Sequence, residues 1–119
     1  MDSNCTVYRT MDFIGKRWTL LILLELFKGK GETKRFSELK RSLPDITPKM
    51  LSERLRELEV EGLVHHSLDD TVVPPKSMYT LTQSGHEFIE IIGSIKSWAL
   101  KWKVHNTLCK NLNCRECRL

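Results

Sequence analysis

The sequence predicts a mainly α-helical domain with a small β-hairpin, and three observations carry that prediction. The ten-residue run "WTLLILLELF" is apolar on nearly every side of a helix, as a helix at the centre of a domain must be. "ITPKMLSERLRELEVEGL" joins a helix-start signal to a leucine stripe and a closing glycine. "LVHHSLD" and "SMYTL" read as two strands joined by a Pro-Pro turn. At 119 residues the chain is long enough for one modest core and too short for two.

Each element can be justified in chain order. Thr6 to Ile14 is a short helix with Val7, Tyr8, Met11 and Ile14 on one side, ended by Gly15. The central apolar helix runs from about Arg17 to Lys28, and Gly29 and Gly31 stop it. "KGKGETK" is a loop, "KRF" a short strand, and Ser37 is placed to cap a helix running to Leu43. Pro44 and Asp45 then force a tight turn. Thr47 is a good N-cap and Pro48 suits the first helical position. Leu51, Leu55 and Leu58 recur at four and three, and Gly62 closes the helix. Winding that helix at about 100° per residue puts Lys49, Ser52, Glu53 and Arg56 opposite the leucines, with Met50 and Arg54 on the flanks. Thr82 caps a last, long helix with apolar residues at 88, 89, 91, 92, 95, 98, 99 and 102.

Charge is placed unevenly. The chain is +4 overall, and Lys34 to Arg56 alone holds seven Lys/Arg against three acids, an equal excess in 23 residues. Glu57 to Asp70 then carries five acids, two histidines and no Lys or Arg. A basic block of this kind suits a polyanionic partner such as nucleic acid. No apolar run approaches the roughly 20 residues that span a bilayer, and no signal core is present, so a cytoplasmic protein without a membrane partner is expected. The sequence also argues against an enzyme. The histidines lie at 65, 66, 86 and 105; the first two alternate across a strand and cannot face one site. No nucleophile elbow, phosphate loop or paired-carboxylate pattern accompanies them. Trp18, Trp98 and Trp102, at helical spacing beside aliphatics, read as core or interface rather than a ligand cage, with room left for a small apolar effector pocket.

Helix, short turn, capped helix and hairpin is the element order of a winged helix-turn-helix. A helix anchored by leucines on one side, with short polar and cationic side chains at its N-terminal end, fits a DNA major groove. "VYRTMDFIGKRWTLLILLELFKG", "RFSELKRSLPDITPKMLSERLRELEVEGLV" and "VPPKSMYTLTQSG" resemble the HxlR family of winged-helix transcription regulators, relatives of the MarR group, in order over roughly residues 5 to 100. The resemblance implies a homodimer joined through its N- and C-terminal helices on a pseudo-palindromic operator of double-stranded DNA. It also implies DNA contacts from Thr47, Pro48, Lys49, Ser52, Arg54 and Arg56, with Lys34, Arg35, Ser37 and Lys40 on the backbone and Lys76 on the wing. Asp69 and Asp70 at the base of the wing depart from the family and place negative charge near the phosphate path. The alternative is a winged-helix protein-interaction module that lacks specific DNA binding; a steep salt dependence of DNA binding separates the two.

The cysteines are expected to carry regulation. Cys5 precedes the first helix, where many HxlR-type regulators have a cysteine, often followed by proline; here Thr6 follows. A thiol at a helix N-terminus is the more reactive for it, so Cys5 is a candidate sensor of an electrophile or oxidant. Residues 1–105 form the winged domain and 106–119 a Cys-rich basic tail, outside the resemblance. Cys109, Cys114 and Cys117, completed by His105 or Cys5, could hold zinc or, as thiolates, an iron–sulfur cluster. A thiol–disulfide pair and an unstructured tail stay open beside that reading.

Overall fold

The computed structural model describes residues 3–103, 105–106, 110 and 113–116. Its elements are α1 (Thr6–Ile14), α2 (Thr19–Lys28), a 3₁₀ turn (Lys30–Glu32), β1 (Thr33–Arg35), α3 (Phe36–Ser42), α4 (Pro48–Val60), β2 (Val64–Asp69), β3 (Lys76–Leu81) and α5 (Gln83–Trp102). Five helices and a small antiparallel sheet are the fold class the sequence implied. The sheet has three strands in the order β1-β3-β2, one more than a hairpin. β2 and β3 pair from Val64 opposite Leu81 to Asp69 opposite Lys76. β1 adds Thr33 opposite Thr80, and the two hydroxyls lie 2.8 Å apart.

The core forms where the helical stripes converge. Ile22, Leu23 and Leu26 of α2, Leu39 of α3, Ile46, and Leu51, Leu55 and Leu58 of α4 are all buried in one cluster. Leu63, Val64, Tyr79 and Leu81 from the sheet and Ile92 from α5 close it. Burying a leucine of this kind is worth roughly 2–3 kcal/mol.

Local signals set the ends of α4. Thr47 Oγ1 accepts from the Met50 amide at 3.1 Å, and Pro48 follows in the first turn. At the other end Gly62 takes φ +83°, a conformation that costs glycine little. Its amide donates to Glu59 O (3.1 Å) while Leu63 N donates to Leu58 O (2.9 Å), so two terminal carbonyls are satisfied in a Schellman closure. α5 starts against this junction. Thr82 N donates to Leu63 O (3.0 Å), and the hydroxyls of Thr82 and Ser84 both donate to Gly62 O at 2.5 and 2.9 Å. Gly85 allows the approach, since a Cβ there would lie 2.2 Å from Leu63 O.

Two local expectations are corrected. Ser37 does not cap α3: the helix begins at Phe36, Arg35 is the N-cap, and Glu38 Oε1 accepts from the Arg35 amide at 3.0 Å. α2 begins at Thr19 rather than near Arg17, because Trp18 adopts a left-handed backbone (φ +81°) that breaks the helix before it. Trp18 packs against the core, with the Arg17 guanidinium 4.9 Å from its ring centre. Leu55→Ala should cost about 3 kcal/mol of stability, whereas Val60→Ala, at an exposed position on the same helix, should stay within about 0.5 kcal/mol. Urea denaturation of both variants checks the contrast.

Candidate nucleic-acid interface

α4 presents the face the leucine stripe leaves free. Thr47, Pro48, Lys49, Ser52, Glu53 and Arg56 are exposed, and among the described residues no hydrogen bond or ion pair engages the side chains of Lys49, Ser52, Glu53 or Arg56. Arg54, on the flank of the helix and among the DNA contacts the resemblance implies, belongs to a different group. Its side chain is only 14% exposed; Nε donates to Arg17 O (3.1 Å) and Nη1 pairs with Glu57 Oε1 (2.6 Å). Lys16 meets the other Glu57 oxygen. Lys16, Arg17, Arg54 and Glu57 therefore clamp the middle of α4 to the α1–α2 turn. Burial alone would raise the Glu57 carboxyl, but the Lys16 ammonium and Arg54 guanidinium outweigh it and hold it below its usual value.

The basic segment ahead of α4 divides in the same way. Lys34 lies against Glu25 Oε2 (3.1 Å) and Ser42 Oγ (3.2 Å), with its side chain 15% exposed. Arg35 Nη2 pairs with Asp69 Oδ2 at 2.5 Å, tying β1 to the end of β2. Lys40 donates to Pro44 O at 3.1 Å. Ser37 is exposed in the first turn of α3. Arg41, counted in the basic block but not singled out by the sequence, is also exposed, and among the described residues no partner engages it. Only its position opposite Leu39 and Leu43 could have marked it, and in so short a helix that signal is weak.

On the wing, Lys76 is exposed and faces Asp69 across the strand pair. The Thr71 hydroxyl and amide, with Arg35, hold the Asp69 carboxyl below the usual carboxylate range. The negative charge of Asp69 is thus compensated locally, while Asp70 stays exposed.

Two apolar stripes are left in solvent. α1 exposes Val7, Tyr8 and Met11, and α5 exposes Ile91, Ile95, Trp98 and Trp102. Trp98 and Trp102 are 56% and 64% exposed, with Lys103 and Lys101 near their rings, so the three tryptophans form no cage. Cys5 is half-buried at the N-cap of α1; its carbonyl accepts from Arg9 N (3.0 Å) and its thiol makes no capping bond. Cys114 is half-buried and His105 exposed. Among the described residues no three His, Cys, Asp or Glu side chains gather as a metal site. Cys109 and Cys117 lie outside the described residues, so the expected zinc or cluster set cannot be assembled from what is described. Arg115 reaches back to Glu32 Oε2 (3.1 Å), with its guanidinium 4.1 Å from the Phe27 ring centre.

A capped helix on a leucine anchor, preceded by a short helix and followed by a sheet wing, defines a winged helix-turn-helix protein. The chain belongs to the HxlR family: the HxlR-like helix-turn-helix model matches residues 13–107. It is 40% identical over 100 residues to the HTH-type transcriptional regulator YdeP of Bacillus subtilis (strain 168), covering 84% of this chain and 75% of that one. Its fold is similar to the reduced form of the transcriptional regulator YodB from B. subtilis, with TM-score 0.72 and 33% identity over 86% of this chain and 97% of that one. It is also similar to the redox regulator HypR in its oxidized form, with TM-score 0.71 and 37% identity over 84% and 99% of the two chains. The family and these relatives are transcriptional regulators, not enzymes. Among the described residues no helix is long and apolar enough to cross a membrane.

The clamp on α4 has a pH signature. Because the folded-state pKa of Glu57 lies below its unfolded value, its contribution is present above about pH 4.5 and is lost as pH falls through the folded value. Glu57→Gln should therefore be less stable than the parent at pH 7, with a smaller gap in acid, where the carboxyl is protonated in both states. Urea midpoints at pH 7 and in acid test this.

Proposed function

We propose that two copies of this chain bind a pseudo-palindromic duplex operator in the cytoplasm, each inserting α4 into a major groove. The carrying observation is the exposed N-terminal face of α4, where Lys49 and Arg56 have no partner among the described residues. A major groove about 12 Å wide admits an α-helix, and lysine or arginine reaches base edges or phosphates from it. The dipole of the same helix end favours a phosphate near Thr47 and Pro48. Ser52 lies on the reading face and Arg54 holds that face in position. Ser37, Lys40 and Arg41 on α3 supply backbone contacts, which position a protein without reading sequence. Lys34 and Arg35, tied to Glu25 and Asp69, act by holding β1 and the wing in place, and Lys76 offers the wing its phosphate contact. The exposed stripes of α1 and α5 suit burial between two copies, since a monomer seldom leaves such patches open.

The test begins with a duplex selected by the protein from randomised DNA, followed by fluorescence anisotropy across a salt series. Binding should saturate at two chains per duplex and weaken steeply with salt. Lys49→Ala or Arg56→Ala should raise Kd about tenfold or more, equivalent to roughly 1–3 kcal/mol, and lower the salt slope by about one for each phosphate no longer neutralised. If both variants bind like the parent at matched salt, α4 is not the reading face.

Regulation through Cys5 is supported by its place at the N-terminus of α1, the helix whose apolar stripe is proposed to join the dimer. Similar proteins include one named a redox regulator and a quinone-bound form of YodB. Oxidation or alkylation at Cys5 would move α1 and with it the spacing of the two α4 helices. Diamide should then lower operator affinity of the parent severalfold and leave Cys5→Ser unaffected. If Cys5→Ser responds like the parent, the sensing thiol lies elsewhere.

A further inference from the structure

A cleft of about 860 Å³ lies on the side of α5 away from the exposed stripe, between α2, α5 and the tail residues that fold back over them. Winding α5 at about 100° per residue puts Ile91, Ile95, Trp98 and Trp102 on one side and the cleft residues Ile89, Gly93, Lys96 and Leu100 on the other. The dimer face proposed above thus lies on the other side of α5 from these lining residues.

Two features of the cleft go together. Its floor is apolar, from Leu24, Phe27, Ile89, Ile92 and Leu100, while its rim carries the lysines at 96 and 110 and, among the described residues, no Asp or Glu. A bare phosphate has no use for such a floor, and a neutral apolar molecule has none for such a rim. The second feature is Gly93. Glycine inside a helix costs about 1 kcal/mol relative to alanine, and here no local geometry requires it. Its φ is not in the left-handed region, and a Cβ built there meets nothing within 4 Å. What the missing side chain leaves is open space at the floor of the cleft.

We infer that this cleft binds a small amphipathic monocarboxylate, its apolar body over Gly93 and its carboxylate among the rim lysines. Binding is a property of the cleft and stands apart from DNA binding. Cys114 lines the same cleft, so its thiol lies beside whatever occupies it.

Isothermal titration calorimetry of the full chain with octanoate, 1-octanol and octylammonium tests the inference without any DNA. Octanoate should bind at one per chain, at least tenfold tighter than octanol, and octylammonium more weakly still. Gly93→Leu fills the floor from a helical position with space around it, so it should cut octanoate affinity at least tenfold while Tm holds or rises. Ser97→Leu, one turn on in the same lining, should do likewise and serves if Gly93→Leu lowers Tm. Lys96→Gln with Lys110→Gln should bring octanoate down to the affinity of octanol. Equal binding of the three probes, or octanoate binding unchanged by the leucine variants, would overturn the assignment. It is equally overturned if octanoate does not bind and Gly93→Leu changes the sedimentation coefficient, since the cleft would then be a contact between copies.

Discussion

Leu51, Leu55 and Leu58 bury one side of α4 in the cluster built around α2, and the remaining architecture depends on that attachment. Rotating α4 by even a third of a turn would take leucines out of the core at roughly 2–3 kcal/mol each. The opposite side, with Lys49, Ser52 and Arg56, is therefore held in solvent by packing rather than by contacts of its own. Thr47 and Gly62 fix where the helix begins and ends, and the carbonyls of Gly62 and Leu63 also receive the start of α5. A single stripe of leucines thus orients the outward face, starts the wing and anchors the long C-terminal helix.

The basic segment shows how one kind of side chain can do two jobs. Lys34, Arg35 and Arg54 each meet a carboxylate, and each contact spans elements or ties α4 down. Partly exposed pairs of this sort are individually weak in stability terms. Their consequence is geometric: Glu57 holds the Arg54 side chain while its Nε reaches the Arg17 carbonyl, so the helix cannot slide along its axis without breaking the bond to Arg17. The cations without partners among the described residues, Arg41, Lys49 and Arg56, leave their charge available to a ligand. The positive excess of the segment was visible in its composition; which charges are spent inside the protein was not.

What could be read in advance follows from distance along the chain. The caps at Thr47 and Thr82, proline at the start of α4 and glycine at its end are contacts between near neighbours, and the sequence displays them directly. α1 ran from Thr6 to Ile14 as its apolar spacing indicated. Contacts between distant positions were hidden. Lys16 and Glu57 are 41 residues apart, and Arg35 and Asp69 are 34 apart. The short strand read at residues 34–36 lies at Thr33–Arg35, and its pairing with β3, about 45 residues on, is what no local pattern displays. Serine is a common cap and so marks Ser37 in the sequence, whereas Glu38 reaching back to the Arg35 amide sets the cap two residues earlier. The outward residues of α4 were legible because helical winding places them once the leucines are known.

α5 extends the same reasoning to the outer edge of the molecule. At 20 residues it is about 30 Å long, more than its packing on α2 can cover. Ile92 is its one buried aliphatic side chain, while Ile91, Ile95, Trp98 and Trp102 stand in water on one side. An aromatic and aliphatic stripe of that size is costly to leave wet, and a second copy of the same helix would bury it by symmetry. The other side of the helix loses its floor at Gly93, where the backbone is exposed to the cleft rather than covered by a side chain. One helix thus carries both the exposed stripe and the cleft side. The start of α5 is in turn bonded through Thr82 and Ser84 to Gly62 at the end of α4, so the two helices meet at one hydrogen-bonded junction.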